Sequence, residues 1–287
     1  MVIHQLANGL VLGSLYALCA LGFTLIFGVA RVVNFAYGEL LMLGAFVTLT
    51  LMEHSGLGFF AALPVAMLVM AVVSVLVYVV TVRPVMRSSP LRALLVTTGV
   101  LYVFREIAIF TWGTAPRQMD MGFDGALEFG DIILTYQRLV TVAVMIVLVA
   151  VLYLILYRMK IGKALRAVAQ NRAGAEAIGL NIDRVVSFSF AVSGAMACAA
   201  GALIGALYAT DPNMGSAPLL KSFVIVIFGG LGSVPGAIAG GLVIGLIETF
   251  AGAYISYAFK DVFTFLIMIA VLLFRPQGLL GSQGRSA

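Results

Sequence analysis

The sequence predicts an all-α protein, a polytopic bundle of transmembrane helices, and three observations carry that prediction. Of the 287 residues, 62% are hydrophobic and only 10% are charged, whereas a soluble domain is roughly 45–50% apolar and about 25% charged. The 17 basic and 12 acidic side chains are too few to coat a soluble globule of this size, and a chain this apolar is not disordered. The apolar residues are also gathered into long runs such as Ala61–Val82 and Ile132–Leu156. Each is at least about 20 residues, the length with which an α-helix crosses roughly 30 Å of hydrocarbon. A membrane β-barrel would instead alternate apolar and polar residues over strands of about 10.

Apolar stretches fall at about 6–30, 35–52, 59–82, 93–111, 132–157, 185–209, 218–231, 235–257 and 259–274. They predict eight or nine membrane segments in one domain spanning 1–287. The start, MVIHQLANGL, has neither a basic segment nor an early cleavage site, so 6–30 reads as the first membrane helix rather than a signal peptide. The stretch 218–231 is short and ends in Gly229-Gly230-Leu231-Gly232; a full crossing and a broken, re-entrant element both fit it.

Orientation follows from the basic residues. Arg83, Arg87 and Arg92 fill one short loop, and Arg158, Lys160, Lys163, Arg166, Arg172 and Arg184 fill another, together nine of the 17. Both loops are therefore cytoplasmic. The intervening loop 112–131, with Arg117 against Asp120, Asp124, Glu128 and Asp131, is outside. The N-terminus lies outside if 6–30 and 35–52 both cross, and Arg275 and Arg285 suggest an inside C-terminus.

Small residues recur at the spacing that lets helices approach closely in lipid: Gly9 and Gly13, Gly201 and Gly205, Gly236 and Gly240, Gly241 and Gly245. Bundle packing is the expected use, with oligomer contact as the alternative. FGVARVVNFAYGELLMLG (27–44) and FGGLGSVPGAIAGGLVIG (228–245) share a loop before a glycine-containing helix start, a weak internal similarity of the kind found in transporters. Cys19 and Cys198 sit within apolar runs and read as small core residues, which excludes a disulfide framework.

Catalytic patterns are absent from the sequence. His4 and His54 belong to no His-Glu-x-x-His helix, there is no Gly-x-Ser-x-Gly elbow, and no metal site is expected. Gly162-Lys163 lacks the upstream glycine of a phosphate loop, and Ala164 stands where the magnesium-binding hydroxyl would be, so ATP is not hydrolysed on this chain by that route. Ionisable residues within apolar runs are costly in hydrocarbon and mark functional or inter-helix contacts. Glu39, Arg105, Glu106 and Glu248 qualify. Arg105 lies about 20 Å along a helix from Arg92 at 1.5 Å per residue, toward the outside. Arg105 and Glu106 are adjacent and cannot face each other, so each needs a separate partner or water. A charged lining of an outer vestibule and a helix that ends there are both open.

Residues 158–184, RMKIGKALRAVAQNRAGAEAIGLNIDR, form the longest inside loop and carry a net charge of +4. Lys163–Gln170 is built from strong helix formers. Asn171 suits a turn or N-cap, Ala173–Ile178 a second short helix, and Gly179 the left-handed position that ends it. Asp183 is expected to cap the following membrane helix. A basic anchor on anionic lipid explains the charge; the small Ala-rich faces fit a docking element for a cytoplasmic protein.

The segment GKALRAVAQNRAGAEAIGLNIDRV (162–185) resembles the coupling segment of permease subunits of branched-chain amino acid ABC importers, most nearly their H-type permeases in high-affinity systems. Residues 8–46, NGLVLGSLYALCALGFTLIFGVARVVNFAYGELLMLGAF, residues 221–248, KSFVIVIFGGLGSVPGAIAGGLVIGLIE, and the ending RPQGLLG resemble the same family in the same order. The outer loop 112–131 has no matching motif.

That resemblance implies the ABC importer permease fold in a bacterial inner (plasma) membrane. A periplasmic binding protein would deliver the amino acid, and a second homologous permease would complete the pathway. Two cytoplasmic ATPase subunits, holding the ATP and magnesium, would dock around 163–178. It assigns Gly162, Arg166, Asn171, Glu176 and Gly179 to coupling and Asn34, Tyr37, Gly38 and Glu39 to a motif that would line the pathway. Membrane lipid is an expected partner and nucleic acid is not. The same architecture would also serve urea or short amides; a passive channel and an intramembrane enzyme are further readings, the last without a nucleophile–base pair to support it.

Overall fold

The computed structural model describes residues 2–86, 90–123, 125–129, 132–275 and 277–280. Arg87, Asp124, Asp131 and Arg285, used above for orientation, lie outside the described residues.

The helix α1 (Val2–Ala30) runs through the centre of the bundle, with a buried run from Gly13 to Ile26. A helix apolar all round is stable only when enclosed on every side or in lipid. Here α9 (Ile182–Leu207), α10 (Ser216–Gly229) and α11 (Val234–Tyr254) enclose it. The remaining long elements are α2 (Tyr37–Ser55), α3 (Phe59–Val77), α5 (Pro90–Trp112), α6 (Tyr136–Arg158) and α12 (Lys260–Phe274). α3 continues through a π-helical turn, Tyr78–Val82, into the single turn α4 (Arg83–Val85).

Glycines set the closest helix contacts. On α1, a Cβ at Gly13 would lie 2.8 Å from the Leu242 Cα of α11, and one at Gly9 2.8 Å from the Leu246 side chain. Gly241 and Gly245 face Ala17 and Gly13 in return. Gly201 abuts the Leu41 carbonyl and Gly44 the Cys198 backbone, which joins α9 to α2. The four-residue glycine spacings are therefore spent inside this chain. Gly201→Val is expected to lower stability by about 1–3 kcal/mol or more through overpacking. Thermal unfolding in detergent checks this, with Gly99→Val as the neutral control, because nothing lies within 4 Å of a Cβ at Gly99.

Polar ties sort the helix ends onto two faces. On one, Arg83 Nη2 meets Asp183 Oδ2 at 2.9 Å, and Arg31 Nη2 donates to the Ala169 carbonyl at 3.4 Å. On the other, Arg117 and Thr210 exchange backbone hydrogen bonds of 2.9 and 2.7 Å, and Arg117 Nη1 lies 3.5 Å from Glu53 Oε2. The two basic loops thus share a face, as the charge distribution predicts. The backbone amides of Leu279 and Leu280 donate to Phe228 and Gly229 at 2.8 and 3.0 Å. Gly232, which follows those two residues, packs on Gly28 of α1, so the described C-terminus also returns to the basic face.

One expectation about the segments is corrected. The stretch 132–157 is not helical throughout: Ile132–Thr135 pairs antiparallel with Ala126–Phe129, so the bundle carries a small outer β-hairpin and α6 begins at Tyr136. Among the described residues, six helices have the length and apolar content to cross a membrane: Val2–Ala30, Phe59–Val85, Leu91–Trp112, Tyr136–Arg158, Ile182–Leu207 and Val234–Tyr254. The stretches 35–52, 218–231 and 259–274 also fold as helices. α2 contains Glu39, Glu53 and His54, while α10 and α12 have 14 and 15 residues. Side chains such as Leu68 and Val72 on α3, Val80 in the π-helical turn that follows it, and Ile146 and Val147 on α6 are exposed. Such belts are at rest in hydrocarbon and strongly disfavoured in water, and the chain is a multi-pass membrane protein.

Candidate functional site

On the basic face, α7 (Lys160–Gln170) and α8 (Arg172–Ala177) are the two short helices the loop composition predicts. Gly162, Leu165 and Val168 form the buried stripe of α7. Gly162 packs on the carbonyls of Ile155 and Leu156, where any side chain would push α7 off the end of α6. Arg166 turns back toward the bundle and stacks on Tyr157, its guanidinium 4.5 Å from the ring centre.

Asn171 caps α8, its Oδ1 accepting from the Gly174 amide at 2.9 Å. Gly179 ends that helix with φ +83°, which a Cβ-free residue adopts without strain. Asp183 does not cap α9: Asn181 does, accepting from the Arg184 amide at 3.1 Å. Asp183 instead pairs with Arg83 and accepts from Tyr78 Oη at 3.2 Å. Exposed residues of α8 and its end, Ala173, Gly174, Glu176, Ala177, Ile178 and Gly179, form a small, nearly uncharged face with Ile178 76% exposed. The residues expected to serve coupling thus divide. Gly162 and Arg166 hold the segment to the membrane domain, and Asn171, Glu176 and Gly179 lie on its open surface.

Within the bundle, the charges are paired rather than scattered. Arg105 Nη2 on α5 meets Glu39 Oε1 on α2 at 2.6 Å and Ser216 Oγ on α10 at 2.8 Å. Glu39 and Arg105 are therefore each other's partners, across 66 residues. Glu106 is exposed on the apolar outer side of α5 beside Tyr102 and Phe110 and makes no polar contact among the described residues. Glu39 Oε2, by contrast, is buried without a hydrogen bond.

Asn34, Tyr37 and Gly38 are buried at the entry to α2. Asn34 Oδ1 accepts from the Ala36 amide at 3.1 Å, Tyr37 Oη donates to the Cys19 carbonyl at 2.8 Å, and Gly38 packs on Gly215 and Leu219. These three anchor α2 to α1 and α10.

A second pair joins Glu248 to Lys221, which is not among the ionisable residues singled out from sequence. Lys221, on α10, forms an ion pair with Glu248 on α11. It also donates to Tyr16 Oη on α1 at 2.6 Å and lies 3.1 Å from Asp261 Oδ1 on α12. One ammonium thus ties four helices. Lys221 stands alone in the apolar stretch 218–231, and the intramembrane-charge criterion that selected Glu248 would have selected it too. His4, His54 and the buried Cys19 and Cys198 join no cluster of three or more metal-ligating side chains among the described residues.

The comparisons agree with this architecture. Residues 5–272 match the family described as "Branched-chain amino acid transport system / permease component". The chain is 34% identical over 97% of its length, and 95% of the other chain, to the high-affinity branched-chain amino acid transport system permease protein LivH of Escherichia coli K12. It is 31% identical, with the same coverage, to the corresponding permease BraD of Pseudomonas aeruginosa. A fructose import permease of Rhizobium meliloti matches at 30% over only 43% of this chain and 35% of its own. No solved structure matches significantly. A match running almost end to end, on a bundle with a structured basic loop and no nucleotide-binding motif, places this chain in the family of branched-chain amino acid transport permease components.

Proposed function

We propose that the chain is the membrane-spanning permease subunit of an ATP-driven importer that moves branched-chain amino acids from a periplasmic binding protein into the cytoplasm, across a bacterial inner membrane. The end-to-end likeness to LivH and BraD carries the proposal. In it, a second homologous permease completes the pathway, and two cytoplasmic ATPase subunits hold ATP and magnesium and dock on α7 and α8. Gly162, the Arg166–Tyr157 stack and the Arg31 tie fasten those helices to α6 and α1. A push on α8 is thereby delivered to the bundle rather than absorbed by a loose loop.

Co-reconstitution with the ATPases, second permease and binding protein tests this, by measuring leucine uptake and leucine-stimulated ATP hydrolysis. Ile178→Asp puts a charge at the centre of the docking face and is expected to lower both at least tenfold, with the unfolding temperature of the isolated chain unchanged. Urea uptake without leucine uptake would overturn the cargo, and full coupling in the variant would overturn the docking site.

A further inference from the structure

Between α1, α10, α11 and the start of α12 lies a cavity of about 680 Å³. Gln5, Tyr208, Asp211 and Tyr257 at its rim belong to the outer helix ends and place its mouth on the outer face. Its volume is within the roughly 300–1,000 Å³ typical of small-molecule sites. Leu12, Leu15, Ile204, Met214 and Pro218 make the wall apolar. At its base, charges of both signs sit together: Lys260 Nζ lies 4.0 Å from Glu248 Oε1, and Lys221 is held beneath by Glu248, Tyr16 and Asp261.

The polar groups at the base are not all used. Glu248 is 1% exposed, yet its Oε2 has no hydrogen-bond partner, a cost a donor from the cavity would remove. Lys260 is 26% exposed and rests 4.1 Å over the Tyr257 ring, so it retains N–H donors for an anion. Tyr16 accepts from Lys221, and its hydroxyl lies next to the Glu248 carboxylate. The lining therefore presents an acceptor and donors side by side beneath an apolar chamber. A purely apolar guest would leave Glu248 Oε2 unpaired, and a simple anion would face Glu248. A zwitterion whose ammonium and carboxylate are one carbon apart matches both charges, and its aliphatic side chain matches the wall.

We propose that this cavity is a reception site within the permease itself for an aliphatic α-amino acid, with the ammonium on Glu248, the carboxylate on Lys260, and the side chain against Leu12, Ile204 and Met214. The inference rests on the transport reading above and adds to it a substrate site on this chain. The site selects the head group through charge pairing. Its chamber is wider than one aliphatic side chain, so leucine, isoleucine and valine are all admitted.

The test uses the full chain with its permease partner in lipid nanodiscs and radiolabelled L-leucine as the probe. Saturable binding is expected, competed by L-isoleucine and at least tenfold less well by 4-methylpentanoate, which lacks the ammonium, or L-leucinamide, which lacks the carboxylate. Lys260→Gln is expected to raise the dissociation constant at least tenfold. Gly252→Leu, which fills the chamber from α11 where the nearest neighbour of a Cβ is Tyr257 at 3.8 Å, is expected to do the same. Both variants should unfold at the wild-type temperature. No saturable binding, binding indifferent to both variants, or equal competition by 4-methylpentanoate would overturn the site. ATP-driven leucine uptake by the complete system, measured in parallel, separates the two readings: uptake without a leucine site overturns the cavity alone, and absence of both overturns the transport reading as well.

Discussion

Replacing Arg105 by methionine is expected to destabilise the folded chain by about 3–5 kcal/mol, the usual cost of stranding one member of a buried ion pair. Glu39 is 1% exposed, and Arg105 supplies its only ion pair among the described residues. Its second oxygen is already without a hydrogen bond, so loss of the guanidinium leaves a buried carboxylate with no donor. Removing both partners should cost far less. Arg105→Met with Glu39→Gln is expected to recover most of the unfolding temperature, because the penalty belongs to the orphaned charge rather than to the missing bridge. Thiol-reactive fluorescence reports unfolding directly, since Cys19 and Cys198 are both buried and free. A single variant as stable as the wild type would show that the pair does not hold α2, α5 and α10 together.

The second large effect is expected at Lys221. Lys221→Met removes the ammonium shared by Tyr16, Glu248 and Asp261 and loosens α10 from α1, α11 and α12 together. Lys260 remains 4.0 Å from Glu248 and can partly neutralise it, so the stability loss should sit near the lower end, about 3 kcal/mol. Transport should suffer more than stability, because Lys260 and Glu248 would then pair with each other at the base of the outer cavity. The double variant Lys221→Met, Glu248→Met separates these effects: unfolding temperature is expected to recover while leucine uptake stays at least tenfold down. Recovery of both would assign the pair a purely structural role.

Much of this was legible along the chain. The apolar runs predict the helices because each must satisfy its backbone internally in hydrocarbon. Asn171 and Gly179 announce a capped two-helix loop because their side-chain and backbone chemistry is local. The glycine spacings announce close contacts for the same reason. Local rules also misled where neighbours decide. Ile132–Thr135 is apolar enough to extend a helix, yet its backbone pairs with Ala126–Phe129. Asp183 sits where a cap would serve, but Asn181 takes that place and Asp183 is drawn to Arg83. Lys221 lies in an apolar stretch, where a lone cation is as costly as a lone glutamate.

What the sequence by itself determined is the medium, the gathering of the basic loops on one face, and the family. Those depend on sums over the chain and on ordered motifs, neither of which needs coordinates. Only the tertiary structure decided which charges neutralise one another. Glu39 and Arg105 are 66 residues apart and Lys221 and Glu248 are 27 apart, so nothing in their spacing couples them. In hydrocarbon a charge must find its partner wherever the fold brings one, and helix packing through glycine decides where that is. The same packing closed a chamber above Lys260 and Glu248 whose walls come from four helices distant in the chain.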